Sequence, residues 1–103
     1  MTANNYLVWA ASKLAERGTE YDRPAGERSM ADTVAAFNAL TGHNLSETEG
    51  WMFMGLLKFK RMLVSQAAGK HHDDSAGDAV AYAALAAESA KKVKAIDTMR
   101  AAP

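Results

Sequence analysis

The chain has no cysteine, and of its two prolines one is the last of the 103 residues. Without cysteine, disulfides, thiolate zinc sites and cysteine nucleophiles are all excluded. Scarce proline, with abundant alanine and methionine, is the composition of a helical protein. Excess charge is missing too: 12 basic and 12 acidic side chains cancel. A neutral chain lacks the basic surface that non-specific duplex nucleic-acid binding requires, and it does not favour an anionic membrane. No apolar run reaches the ~18 residues of a membrane span. The N-terminal stretch shows no basic-then-apolar signal pattern, so a cytoplasmic location is expected. A monomer of this length buries roughly 65% of the surface its unfolded chain exposes. That supports one modest core, and a homo-oligomer sharing its core is expected.

What is present is a succession of helix signals. Thr2 to Arg17 carries Tyr6, Ala10 and Leu14 at helical spacing, with Asn4 or Asn5 as the expected cap and Gly18 as the stop. The stretch "GTEYDRPAGE" holds two glycines and the internal proline, and reads as a loop. Ser29 and Asp32 form an S-x-x-D start, and Gly42 closes that helix. Ser46 and Glu49 make a full capping box. Behind it "WMFMGLLKFKRMLV" is apolar nearly all round, so burial on most sides is expected, at the centre of the molecule or against a second subunit. A last helix starts at Asp74 or Ser75, runs to about Met99, and has Gly77, Ala81, Ala84 and Ala87 as small residues for close packing. The prediction is a single all-α domain over residues 1–103: a bundle of about four helices.

Three constellations carry candidate chemistry. "HHDD" at residues 71–74 contains metal-competent side chains, and His72-Asp73 matches the dyad of HD-type phosphohydrolases; a solvated linker running into a capped helix explains it as well. Asp74 and Asp78, spaced i, i+4, are the candidate magnesium pair, with Glu47 and Glu49 two apart on the preceding helix. The third constellation is basic and aromatic: Tyr21, Arg23 and Arg28 in the loop, then Trp51, Lys58 and Arg61. Guanidiniums and ammoniums suit phosphate, and an aromatic face suits a base. Lysine stems snorkelling from a core, and arginines paired with Asp22 and Glu27, are the structural alternatives.

The stretch covering roughly residues 17–90 resembles a group of small phage and prophage proteins of unknown function. Their shared features stand here as Tyr21, Asp22 and Pro24; as Leu56, Leu57, Lys58 and Arg61; and as Asp74, Asp78, Tyr82 and Leu85. Asp22 takes the place where glycine is frequent. A more distant likeness is to the all-α NTP pyrophosphohydrolases of the MazG type, whose acidic set is incomplete here. The phage resemblance implies an accessory, anti-defence role: binding a host signalling nucleotide, or inhibiting a host enzyme. On that basis the expected function is non-catalytic binding of a nucleotide or phosphorylated ligand. Arg23, Arg28, Lys58 and Arg61 are assigned to phosphate, Tyr21 or Trp51 to the base, and Asp78 and Tyr82 to ribose or to orienting the arginines. No cofactor is expected. The alternatives are a magnesium-dependent pyrophosphohydrolase through Asp74 and Asp78, or a protein–protein inhibitor with an exposed apolar patch at Trp51, Phe53 or Trp9.

Overall fold

The computed structural model describes the backbone of residues 1–21 and 29–101, and the side chains of 1–17 and 29–91. The side chain of Tyr21, and Arg23 and Arg28 entirely, lie outside the described residues. The architecture is all-α: α1 (Ala3–Tyr21), α2 (Ser29–Thr41), α3 (Glu47–Ala67) and α4 (Asp73–Ala101), with no strand among the described residues.

Several helix ends have a local cause. Thr2 caps α1 rather than Asn4 or Asn5: its hydroxyl accepts from the Asn5 N–H at 3.2 Å, and the Asn5 side chain accepts from the Thr2 N–H at 2.8 Å. Gly18 does not stop this helix, which continues to Tyr21. Gly42 closes α2 as expected, taking φ +77°, a conformation glycine reaches without a Cβ penalty. The Asn38 side chain then clamps both backbone groups of Leu45 at 2.9 Å, which aims the chain at the next helix. The Ser46–Glu49 capping box is present on α3. That helix ends in a Schellman motif: Lys70 N–H bonds Ser65 C=O at 2.8 Å, Gly69 N–H bonds Gln66 C=O at 3.0 Å, and Gly69 has φ +72°.

The start of α4 differs from expectation. The cap is His72, whose Nδ1 accepts from the Ser75 N–H at 3.2 Å and lies 2.6 Å from the Ser75 hydroxyl. Asp73 and Asp74 fall inside the first turn, where carboxylates complement the helix dipole.

α3 and α4 form the central antiparallel pair, with α1 against α4 and α2 against α3. The pairings Thr48–Ser89, Trp51–Tyr82 and Lys58–Asp78 follow the antiparallel register. Two glycines permit the closest approaches. A Cβ on Gly77 would sit 2.1 Å from the Trp9 ring, and one on Gly50 would sit 2.5 Å from the Met30 sulfur. The larger buried side chains are Met30, Val34, Trp51, Tyr82 and Leu85; Leu14, Leu45 and Met54 pack beside them.

That core is thin, and the expectation for α3 is where the structure departs most from the sequence. Only Gly50, Trp51 and Gly55 of α3 are buried. Met52, Phe53, Leu56, Phe59, Leu63 and Val64 are exposed. The helix is apolar on two sides, and among the described residues only one of them is covered.

Candidate functional site

α4 turns a regular stripe toward its neighbours. Ser75, Asp78, Tyr82, Leu85 and Ser89, spaced three and four apart, are all buried. Three of the five are polar, and each has partners. Ser75 is fully buried against His72. The Ser89 hydroxyl donates to Ala86 C=O at 3.0 Å and pairs with the Thr48 hydroxyl at 2.7 Å.

Asp78, 7% exposed, is the electrostatic centre. Its Oδ2 lies 3.0 Å from Lys58 Nζ, and its Oδ1 lies 3.5 Å from the Arg17 guanidinium. Arg17 also stands 6.0 Å from the centre of the Tyr82 ring. Tyr82 also stacks on Trp51, with ring centres 5.7 Å apart and planes at 25°. Four of the nominated residues, Trp51, Lys58, Asp78 and Tyr82, therefore converge where α3 meets α4, with α1 contributing Arg17. A carboxylate this buried needs its charge matched, and two cations match it.

Arg61 is not part of this group. Lys58 turns inward to Asp78, whereas Arg61, three residues on, is exposed. Asp74 and Asp78 likewise separate, since Asp74 is exposed and Asp78 faces Lys58 and Arg17. Glu49, the acid on α3 nearest in role, is held by the capping box, and the Ser46 N–H keeps its carboxyl below the usual range. No three His, Cys, Asp or Glu side chains converge as a metal site among the described residues.

The "HHDD" run serves to join helices. The Tyr6 hydroxyl donates to Asp73 at 2.5 Å and lies 2.5 Å from His71 Nε2, while His71 and Asp73 are 2.8 Å apart. The phenol lowers the Asp73 pKa, and Asp73 in turn raises that of Tyr6. The start of α1 is thereby tied to the start of α4.

Arg17, Thr48, Ser75 and Ser89 belong to this region and were not nominated from sequence. The three-and-four spacing 75, 78, 82, 85, 89 is the signal that would have found the α4 members. Arg17 carries no such mark, because it reads as one more charge near the end of an amphipathic helix.

Among the described residues, two apolar grooves run beside α3. One, of about 250 Å³, lies toward α4 and is lined by Trp51, Met52, Gly55, Leu56, Phe59 and Tyr82 with alanines of α4. The other, of about 260 Å³, lies toward α2, lined by Met30, Val34, Phe37, Leu45, Phe53 and Met54 among others. No helix among the described residues is long and apolar enough to cross a membrane. No family model, no curated protein and no solved structure matches this chain.

Proposed function

We propose that the chain is a non-catalytic binding protein that docks a protein surface through the apolar stripe of α3. The observation that carries this reading is the exposure of Met52, Phe53, Leu56, Phe59 and Leu63 on one helix. Scattered apolar side chains on a surface need no explanation, but a contiguous band of large ones marks an interaction site. Of the residues expected in such a patch, Phe53 lies in the band, Trp51 is buried, and Trp9 is half-buried over Gly77. The likeness to small phage accessory proteins makes a host protein or another copy of the chain the partner to test. The test is association, by pull-down and light scattering, of the native chain and of Leu56→Asp/Phe59→Asp. Associations lost in the variant, with helix content retained, support the reading. Associations that all survive the variant sink it.

A second reading is favoured by the convergence of Lys58, Asp78, Tyr82 and Trp51 beside Arg17. A nucleotide or phosphorylated ligand would take the Lys58 ammonium from Asp78 and add a phosphate to the junction; sequestration of a signalling nucleotide would be the outcome. A thermal-shift series with nucleotides, with and without magnesium, tests it. A ligand at 100 times its dissociation constant adds about 2.7 kcal/mol, and Lys58→Met should abolish the shift. A ligand recovered as pyrophosphate and monophosphate would instead favour hydrolysis over sequestration.

A further inference from the structure

The exposed band of α3 has the form of a helix-pairing seam. Met52, Leu56, Phe59 and Leu63 follow one another at spacings of four, three and four, the heptad alternation that keeps one line of side chains facing a partner helix. All four are more than half exposed: 58%, 66%, 53% and 66%. Phe53 and Val64 widen the band. The four seam side chains alone present on the order of 500 Å² of surface, taking roughly 200 Å² for a large side chain. The largest apolar patch on a soluble monomer is about 300–600 Å². A standard protein–protein interface buries about 800 Å² on each partner. The seam thus stands at the upper end of what a monomer leaves to water and supplies more than half of what one side of a stable interface needs.

Shape points the same way. The groove beside the seam has Gly55 and Ala79, Ala83 and Ala86 in its lining. Small residues there leave a depression into which a large side chain from outside can insert as a knob. Leu56 and Phe59, on the rim of the same groove, are the side chains such a depression takes. The face therefore carries both knobs and holes, which is the requirement for an isologous contact between two copies.

Charge sets the direction. Of the charges on α3, Glu49 near its start and the exposed Lys60 in its second half are the ones that flank the seam at helical spacing. Antiparallel pairing keeps the two copies of each of these charges apart and opposes the two helix dipoles. Parallel pairing would place like beside like.

We propose that the occupant of the α3 face is a second copy of the chain, docked α3 against α3 in antiparallel sense about a two-fold axis between Leu56 and Phe59. Met52 of each copy then lies opposite the partner's Leu63, and Leu56 opposite the partner's Phe59. The inference rests on the reading that this face docks a protein, and names that protein.

Light scattering of the purified native chain over a wide dilution range should give the mass of a dimer. Leu56→Glu should weaken self-association at least about a hundredfold, with the helical circular dichroism unchanged, because Leu56 lies outside the buried core. The absence of native cysteine allows a second test that does not depend on destabilising anything. Met52→Cys and Leu63→Cys are prepared separately, then mixed and oxidised. Antiparallel pairing gives a disulfide-linked dimer in the mixture and little in either variant alone. A Met52→Cys chain linking efficiently to itself overturns the antiparallel arrangement. A native chain that is monomeric throughout overturns the inference, and the docking reading then stands only if another protein binds in a Leu56-dependent way. A Leu56→Glu chain as strongly dimeric as the native one overturns it as well.

Discussion

Lys58 Nζ lies 3.0 Å from Asp78 Oδ2 between α3 and α4, and each side chain is nearly closed off from water. The pair joins the two central helices. Its partners are not equivalent. Asp78 also meets Arg17 at 3.5 Å, so the carboxylate holds three helices together.

Removal of either partner should therefore have unequal effects. Lys58→Met leaves Asp78 with Arg17 and is expected to destabilise by about 2–3 kcal/mol. Asp78→Asn leaves Lys58 and Arg17 facing each other across an amide and is expected to cost about 3–5 kcal/mol. Urea denaturation of the two variants checks the order. A smaller loss for Asp78→Asn than for Lys58→Met would show that the carboxylate is not the hub.

Trp9 and Gly77 test the contact between α1 and α4. A methyl group at position 77 would overlap the indole, with 2.1 Å to its nearest atom. Gly77→Ala should lower stability by roughly 1–3 kcal/mol, the usual range for overpacking, against the gain in helix propensity of about 1 kcal/mol that alanine brings. Trp9→Leu in the same chain should restore part of the loss. Equal thermal midpoints for native and Gly77→Ala chains would mean that the ring moves aside freely.

The cap of α3 is the simplest local test. Ser46→Ala removes the hydroxyl that accepts from the Glu49 N–H at 3.1 Å, and is expected to cost about 1 kcal/mol. Thermal unfolding reads this directly. No change would mean that water replaces the hydroxyl without loss.

Acid and base should act through different groups. Asp73 is held below its ordinary value, first by the Tyr6 hydroxyl, and Glu49 is held low, first by the Ser46 N–H. A carboxylate depressed on folding contributes stability that is complete above its unfolded pKa and disappears as pH falls through its folded one. Tyr6 is raised, so its contribution is complete below the ordinary tyrosine value and is lost as pH rises through the folded value. Both acids and the phenol are exposed, so these slopes are small. The sharper measurement is the Asp73 titration by nuclear magnetic resonance in native and Tyr6→Phe chains. Its midpoint should move up in the variant, and an unmoved midpoint would remove Tyr6 as the cause.

Part of the functional region was legible in the residues. Lys58, Asp78, Tyr82 and Trp51 were nominated, and they do meet. Their relation to one another was not legible, because spacing along a helix says which side chains share a face but not what lies opposite. Lys58 and Arg61 show the point: three residues apart, one turns to a carboxylate of α4 and the other to water. His72 as a cap was missed because imidazole is an uncommon cap beside the aspartates that follow it.

The sequence by itself determined the helical class, the number of helices, the Ser46–Glu49 start and the glycine stop at position 42. These depend on neighbours within four residues, where backbone hydrogen bonds are made and ended. Which half of an all-round apolar helix is covered depends on atoms far along the chain. Only the tertiary structure decided that α4 takes the Trp51 and Lys58 side of α3, and that Met52, Leu56, Phe59 and Leu63 are left facing outward. Burial is a property of what packs against a side chain, and apolar composition fixes the need for a cover without naming it.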